Sequence, residues 1–129
     1  MKTITLNIDN ERLISDFFEF LSDKPNHGFR DFHKYKKFFL EEITKIIGDN
    51  RYKILISHID KKIENYFLIK NEDSLNRSII MTFDVRKISE YMHEIKKITK
   101  SNKIEIAIRD SNDINPNEFS FLRLIKIYD

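Results

Sequence analysis

Four histidines, His27, His33, His58 and His93, are the side chains of this sequence best suited to moving protons near neutral pH. They are dispersed, and no pair has the local spacing of a metal site. His93-Glu94 is followed by Ile95, Lys96 and Lys97, so the zincin pattern fails where its second histidine should stand. No metal is expected. Brought together by folding, His27, His33 or His58 with a lysine would support metal-independent cleavage of RNA by general acid and base. The chain has no cysteine, which removes thiol nucleophiles and disulfides, and it has no Gly-x-Ser-x-Gly elbow. Its two glycines, Gly28 and Gly48, stand twenty positions apart, so no glycine-rich loop can cradle a phosphate as P-loop and dinucleotide folds do. Asp110-Ser111-Asn112-Asp113 opens like a calcium loop, but Asn115 takes the place of the required glycine and Phe121 that of the closing glutamate. The segment reads as a polar turn, and no cofactor is expected.

Charge is patterned although its total is small, 23 Lys and Arg against 21 Asp and Glu. Residues 24–37 and 86–103 are basic, with five cations against one anion and six against two. In the first stretch Arg30, Lys34, Lys36 and Lys37 interleave with Phe29, His33 and Tyr35, the composition of a nucleic-acid footprint. A net charge of +2 supplies only a weak field to gather a polyanion, so nucleic acid is the alternative partner and not the first. Glu72-Asp73 and the loop residues Asp110, Asp113 and Glu118 join expected strands, where carboxylates at a sheet end can imitate phosphates before a basic protein partner. Tyr66 and Tyr128 are the matching candidates for exposed aromatic anchors.

The elements that must position these groups follow from periodicity. Ile4, Leu6 and Ile8 alternate with polar residues as a half-buried strand does. Asp9 or Asn10 can cap a helix carrying Leu13, Ile14, Phe17 and Leu21, which ends before Pro25. A second helix carries Phe32, Tyr35, Phe39, Ile43 and Ile46 and closes at Gly48 as a left-handed cap. Alternation from Tyr52, interrupted at Asp60-Lys61-Lys62 and again at Asn71 to Ser74, gives three successive strands. Asp84 can cap a third helix with Ile88, Tyr91, Met92, Ile95 and Ile98 on one face. Strands around Ile104 to Ile108 and Phe119 to Tyr128 complete the chain.

The expectation is a single α+β domain over residues 1–129 in the order β-α-α-β-β-β-α-β-β. It has a largely antiparallel mixed sheet of about six strands, with the three helices mainly on one face. The opposite face, with Thr3, Thr5, Asn7, Lys53, Ser57, Glu64 and Lys126, reads as wet. No segment is apolar enough for a signal peptide or a membrane span, which points to the cytoplasm.

In size, composition and α+β order, though by no motif, the chain resembles the bacterial immunity proteins of the contact-dependent inhibition type. The resemblance implies a non-catalytic inhibitor that neutralises a cognate protein toxin, such as a nuclease, by direct binding. Glu72, Asp73, Asp110, Asp113, Glu118, Tyr66 and Tyr128 are its candidate contact residues.

Overall fold

Two uninterrupted apolar runs, Ile54-Leu55-Ile56 and Tyr66-Phe67-Leu68-Ile69, dictate the architecture, because successive strand residues point to opposite faces and these strands must be covered on both. The computed structural model describes residues 2–22, 36–99, 103–109 and 123–127. Its elements are β1 (Lys2–Thr5), α1 (Glu11–Ser22), α2 (Lys36–Gly48), β2 (Tyr52–Ile59) and β3 (Lys62–Glu72), then β4 (Arg77–Thr82), α3 (Met92–Ile98), β5 (Lys103–Arg109) and β6 (Arg123–Ile127). They form one α+β domain. Its six-stranded sheet keeps the order of the chain, with β1 to β4 antiparallel and β4, β5 and β6 parallel.

Helices cover both faces, which corrects the one-sided arrangement expected from the sequence. α1 and α2 lay Leu13, Ile14, Phe17, Leu21, Phe39 and Ile43 over Ile54, Ile56, Tyr66 and Leu68. On the other face Ile88, Tyr91, Met92 and Ile95 pack on Leu55, Phe67, Ile69, Ile80 and Ile106. The physical reason lies in the parallel pairing of β4 with β5. A parallel connection must cross over the sheet, and its covering segment brings an apolar stripe that the face opposite α1 and α2 receives. Ser57, expected to be wet, is accordingly buried, as is Asn65 beside it.

Local chemistry sets the ends of the elements. The Asn10 side chain accepts the Leu13 N–H at 3.1 Å and starts α1. Gly48 ends α2 without a positive φ, so the left-handed cap expected there is absent, and Asp49 N–H donates to the Ile46 carbonyl at 3.2 Å instead. The two-residue turn between β2 and β3 puts Asp60 and Lys61 in left-handed conformation, at φ 52° and 67°, the backbone that a tight hairpin matching the strand twist demands. The third amphipathic stretch is a 3₁₀ helix over Val85–Tyr91 before it becomes α3. Its apolar steps of three, Ile88 to Tyr91 and Ile95 to Ile98, suit three residues per turn as well as they suit 3.6.

The α1 face is organised around Phe17, which is fully buried and meets Phe39 and Tyr66 edge-on at 5.7 and 5.3 Å between ring centroids. Phe17→Ala is expected to destabilise the fold by about 3–5 kcal/mol in urea unfolding, the usual cost of emptying an aromatic site in a close-packed core. A loss below about 1 kcal/mol would show that this cluster does not carry the core.

Candidate functional site

β4 and β5 run side by side only in part. Their ladder pairs Arg77 with Lys103 through Ile80 with Ile106 and stops there. Beyond it β4 stays with β3 as far as Thr82, and β5 stays with β6 as far as Arg109. The strands therefore part at their carboxyl ends, and a wedge opens with Met81 and Thr82 on one side and residues 107–109 on the other. In sheets of this kind ligands sit outside the carboxyl ends of parallel strands, where the pairing pattern changes. Here it changes from antiparallel to parallel at β4.

A polar network lines the sheet beside this opening. Opposite the Ser57–His58 step β3 carries one extra residue, Glu64, since Ser57 pairs with Asn65 while His58 pairs with Ile63. This bulge re-aims two successive side chains, Glu64 and Asn65, toward the face covered by α3. Asn65 is wholly buried and ties β3 to the end of β4. Its amide nitrogen donates to the Asp84 carbonyl at 3.0 Å, and its oxygen accepts from the Thr82 hydroxyl at 3.1 Å and the Asp84 N–H at 3.2 Å. Tyr91 donates its hydroxyl proton to Glu64, and the Lys87 ammonium stands 3.3 Å from the other Glu64 oxygen. Burial first, and the Glu64 carboxylate second, push the Tyr91 hydroxyl up to about 12, while the Glu64 hydrogen bond holds the Lys87 ammonium above its ordinary range.

The turn that leaves β4 uses its own groups. The Asp84 carboxylate accepts both the Arg86 N–H and the Arg86 guanidinium Nε at 3.2 Å, and the Lys87 N–H donates to the Asp84 carbonyl at 3.2 Å. Asp84 thus caps the segment as its sequence position suggests.

On the opposite face, at the same end of the sheet, a cavity of about 400 Å³ lies between α1 and the β2–β3 hairpin. Asp16, Glu19, His58, Lys61 and Lys62 supply its polar wall, with Phe20 and Ile63 the apolar part. Phe20 meets Phe83 edge-on at 6.0 Å, and Phe83 directly follows β4, which links the cavity wall to the end of that strand through one aromatic contact.

Among the described residues, those singled out from the sequence lie apart from one another. Tyr66 is fully buried beneath α1 and cannot serve as an exposed anchor, because its register partner on β2, Ile56, points into the same core. Glu72 ends β3 at the far end of the sheet and pairs with Arg77 at 3.1 Å, and Asp73 begins the 3₁₀ turn after it. Asp110, Asp113, Glu118 and Tyr128 lie outside the described residues, as do His27 and His33. His58 faces the cavity, whereas His93 is exposed on α3. Three of the six cations of the stretch 86–103 are engaged within the chain, while Lys96 and Lys97 are exposed on α3. Arg86 is engaged by Asp84, Lys87 by Glu64 and Glu90, and Lys103 by Glu105. Of the other basic stretch, 24–37, only Lys36 and Lys37 are described. The wedge, the bulge and Asn65 went unnoticed in the sequence. The available signal was an asparagine at the start of the apolar run of β3, directly after Glu64.

No family model matches the chain, and neither does any curated protein sequence. Among solved structures the chain is similar to a probable acetyltransferase, with a TM-score of 0.60 and 10% identity over 93% of this chain and 87% of the other. It is also similar to the ribosomal-protein-alanine N-acetyltransferase from Brucella melitensis biovar Abortus 2308, with a TM-score of 0.50 and 9% identity over 100% of this chain and 81% of that one. At these identities the likeness is one of fold. It overturns the immunity-protein reading and, with it, the cognate toxin as partner and the expectation of a non-catalytic binder, since the folds that match belong to acetyltransferases. The same comparison gives no support to the nucleic-acid-binding and ribonuclease alternatives. Among the described residues no helix is long and apolar enough to cross a membrane.

Proposed function

We propose that the chain is an acyltransferase that moves a short acyl group from a thioester to an amine, acting in the cytoplasm. The observation that carries this reading is the wedge between β4 and β5. It presents backbone N–H and C=O groups of two diverging strands, at residues 81–82 and 107–109, to any extended, amide-bearing arm that enters as a further strand. The likeness to acetyltransferase folds supplies the reaction class by analogy.

The chemistry needs two partners to meet at the mouth of the wedge. The amine nitrogen attacks the thioester carbonyl carbon, a C–N bond forms, the C–S bond breaks, the sulfur leaves with the electron pair, and one proton passes from nitrogen to a base. The cavity beneath α1 suits the amine. Asp16 and Glu19 can pair with its ammonium form, with Lys61 and Lys62 in the same wall balancing their charge, Phe20 and Ile63 offer its apolar part a surface, and Phe20 lies against Phe83, the residue that follows β4. His58, in the same wall, is the residue type that takes a proton near neutral pH and is assigned the role of base. Glu64, Tyr91 and Lys87 hold the segment after β4 against the sheet and so keep the wedge in shape.

Incubation of the purified chain with acetyl thioesters and a panel of primary amines is expected to release thiol at least about a hundredfold faster than buffer. Amide resonances of residues 81, 82, 107 and 108 should shift on titration with the thioester while those of β1 stay in place. His58→Ala is expected to lower kcat/KM by about a hundredfold, the ordinary contribution of a positioned base, with a smaller effect as the pH rises and the amine deprotonates unaided. No thiol release with any donor would reject the reading.

The Tyr91 hydroxyl generates a separate expectation. Its folded-state value lies above the ordinary tyrosine value of 10.0, so its contribution to stability is complete below about 10 and disappears as the pH rises through about 12. The urea midpoint of the native chain should therefore fall across that interval, and Tyr91→Phe should remove most of that fall. Parallel alkaline limbs for the two proteins would count against the Glu64 contact as a stabilising one.

A further inference from the structure

Coenzyme A, the thioester carrier that an acetyltransferase fold implies, brings a nucleotide diphosphate along with its amide-bearing arm. Phosphates at the carboxyl end of a parallel strand are held by the free N–H groups of the turn and helix that follow, usually with glycine to let them approach and with cations to balance them. The turn after β4 has no glycine and has committed both of its cations and three of its N–H groups within the chain. The N–H groups of Asp84, Arg86 and Lys87 are each already donated within the chain, to Asn65, to the Asp84 carboxylate and to the Asp84 carbonyl. The Asp84 carboxylate sits where an anion would be received. Between Met81 and Tyr91 there is no glycine. Both cations of the turn are engaged, Arg86 by Asp84 and Lys87 by Glu64 and Glu90, so three carboxylates stand against two positive charges. A diphosphate arriving here meets net negative charge and no open donor among these groups. The residues present do not fit it.

The wedge itself is indifferent to phosphate, because strand edges recognise amides. Resting on the acyl-transfer reading above, we propose that the chain takes its acyl group from a thioester on a nucleotide-free amide arm of the pantetheine kind, and that Asp84 is the residue that excludes the nucleotide-bearing carrier. Such an arm exists free as a small thioester or attached to a carrier protein through a single phosphate, and the chemistry recognised in the wedge is common to both.

The test compares kcat/KM for acetyl-pantetheine, acetyl-coenzyme A and an acetylated phosphopantetheinyl carrier protein, on the native chain and on Asp84→Ala and Asp84→Asn. Acetyl-pantetheine is expected to react about tenfold better than acetyl-coenzyme A, since the nucleotide adds no binding energy and meets the Asp84 carboxylate. Both substitutions should shift the ratio toward coenzyme A, by about tenfold for Asp84→Ala, which frees the Arg86 N–H and guanidinium. Asp84→Asn keeps a capping oxygen and removes only the charge, so it preserves the test if the alanine variant folds poorly. A carrier-protein rate well above that of free pantetheine would assign the protein-borne source, and equal rates would assign the free one. A kcat/KM for acetyl-coenzyme A equal to or above that for acetyl-pantetheine in the native chain, or an unchanged ratio in both Asp84 variants, would overturn the proposal while leaving acyl transfer intact. Failure of all three donors would instead overturn acyl transfer itself, and this inference with it.

Discussion

The need to cover β2 and β3 on both faces constrains everything else in this protein. Apolar runs such as Ile54-Leu55-Ile56 and Tyr66-Phe67-Leu68-Ile69 cannot be satisfied by one layer of helix. α1 and α2 cover one side, and the other must be closed by the segment that follows β4. To reach that side and return, the chain crosses over, which makes β5 parallel to β4. A parallel neighbour beside an antiparallel meander creates the change of pairing at which the strands part. The wedge is thus a consequence of how the core is covered.

The second layer of the design is polar. Asn65 is buried in a position where an apolar residue would pack well, yet its side chain makes three hydrogen bonds to the end of β4 and the turn beyond. A buried amide with its partners in place specifies geometry more sharply than a hydrophobic contact does, and removing it would strand the Asp84 backbone. The β3 bulge serves the same end by turning Glu64 to meet Lys87 and Tyr91, holding the 3₁₀ helix against the sheet. At the far end of the sheet a different cluster, Arg77 between Glu72 and the fully buried Glu105, performs the corresponding service for β4 and β5.

Much of the fold was legible in the sequence. The order of elements, the six strands, the cap at Asn10 and the cap at Asp84 all follow from periodicity and residue type. The second covered face was missed although it was written in the unbroken apolar runs, because alternation in the outer strand around Ile4 suggested a sheet wet on one side. The candidate site was scarcely legible. Its central feature is a gap between two strands, and backbone that stops pairing leaves no residue signature. Tyr66 shows the opposite failure: a tyrosine in a strand signals neither burial nor exposure, and only its register with Ile56 decides.

The sheet keeps its strands in the order in which the chain makes them, each beside its sequence neighbour. Assembly can therefore proceed outward from a central seed. The tight turn at Asp60-Lys61 and the short connection at Asp73–Asn76 let β2, β3 and β4 form a meander from local contacts alone. β1 must then return across both helices to reach β2, and β5 must wait for the crossover. One wall of the wedge belongs to the central meander and the other, β5, waits for the crossover, so the part of the molecule proposed to meet substrate is also one whose formation the central hairpins do not guarantee.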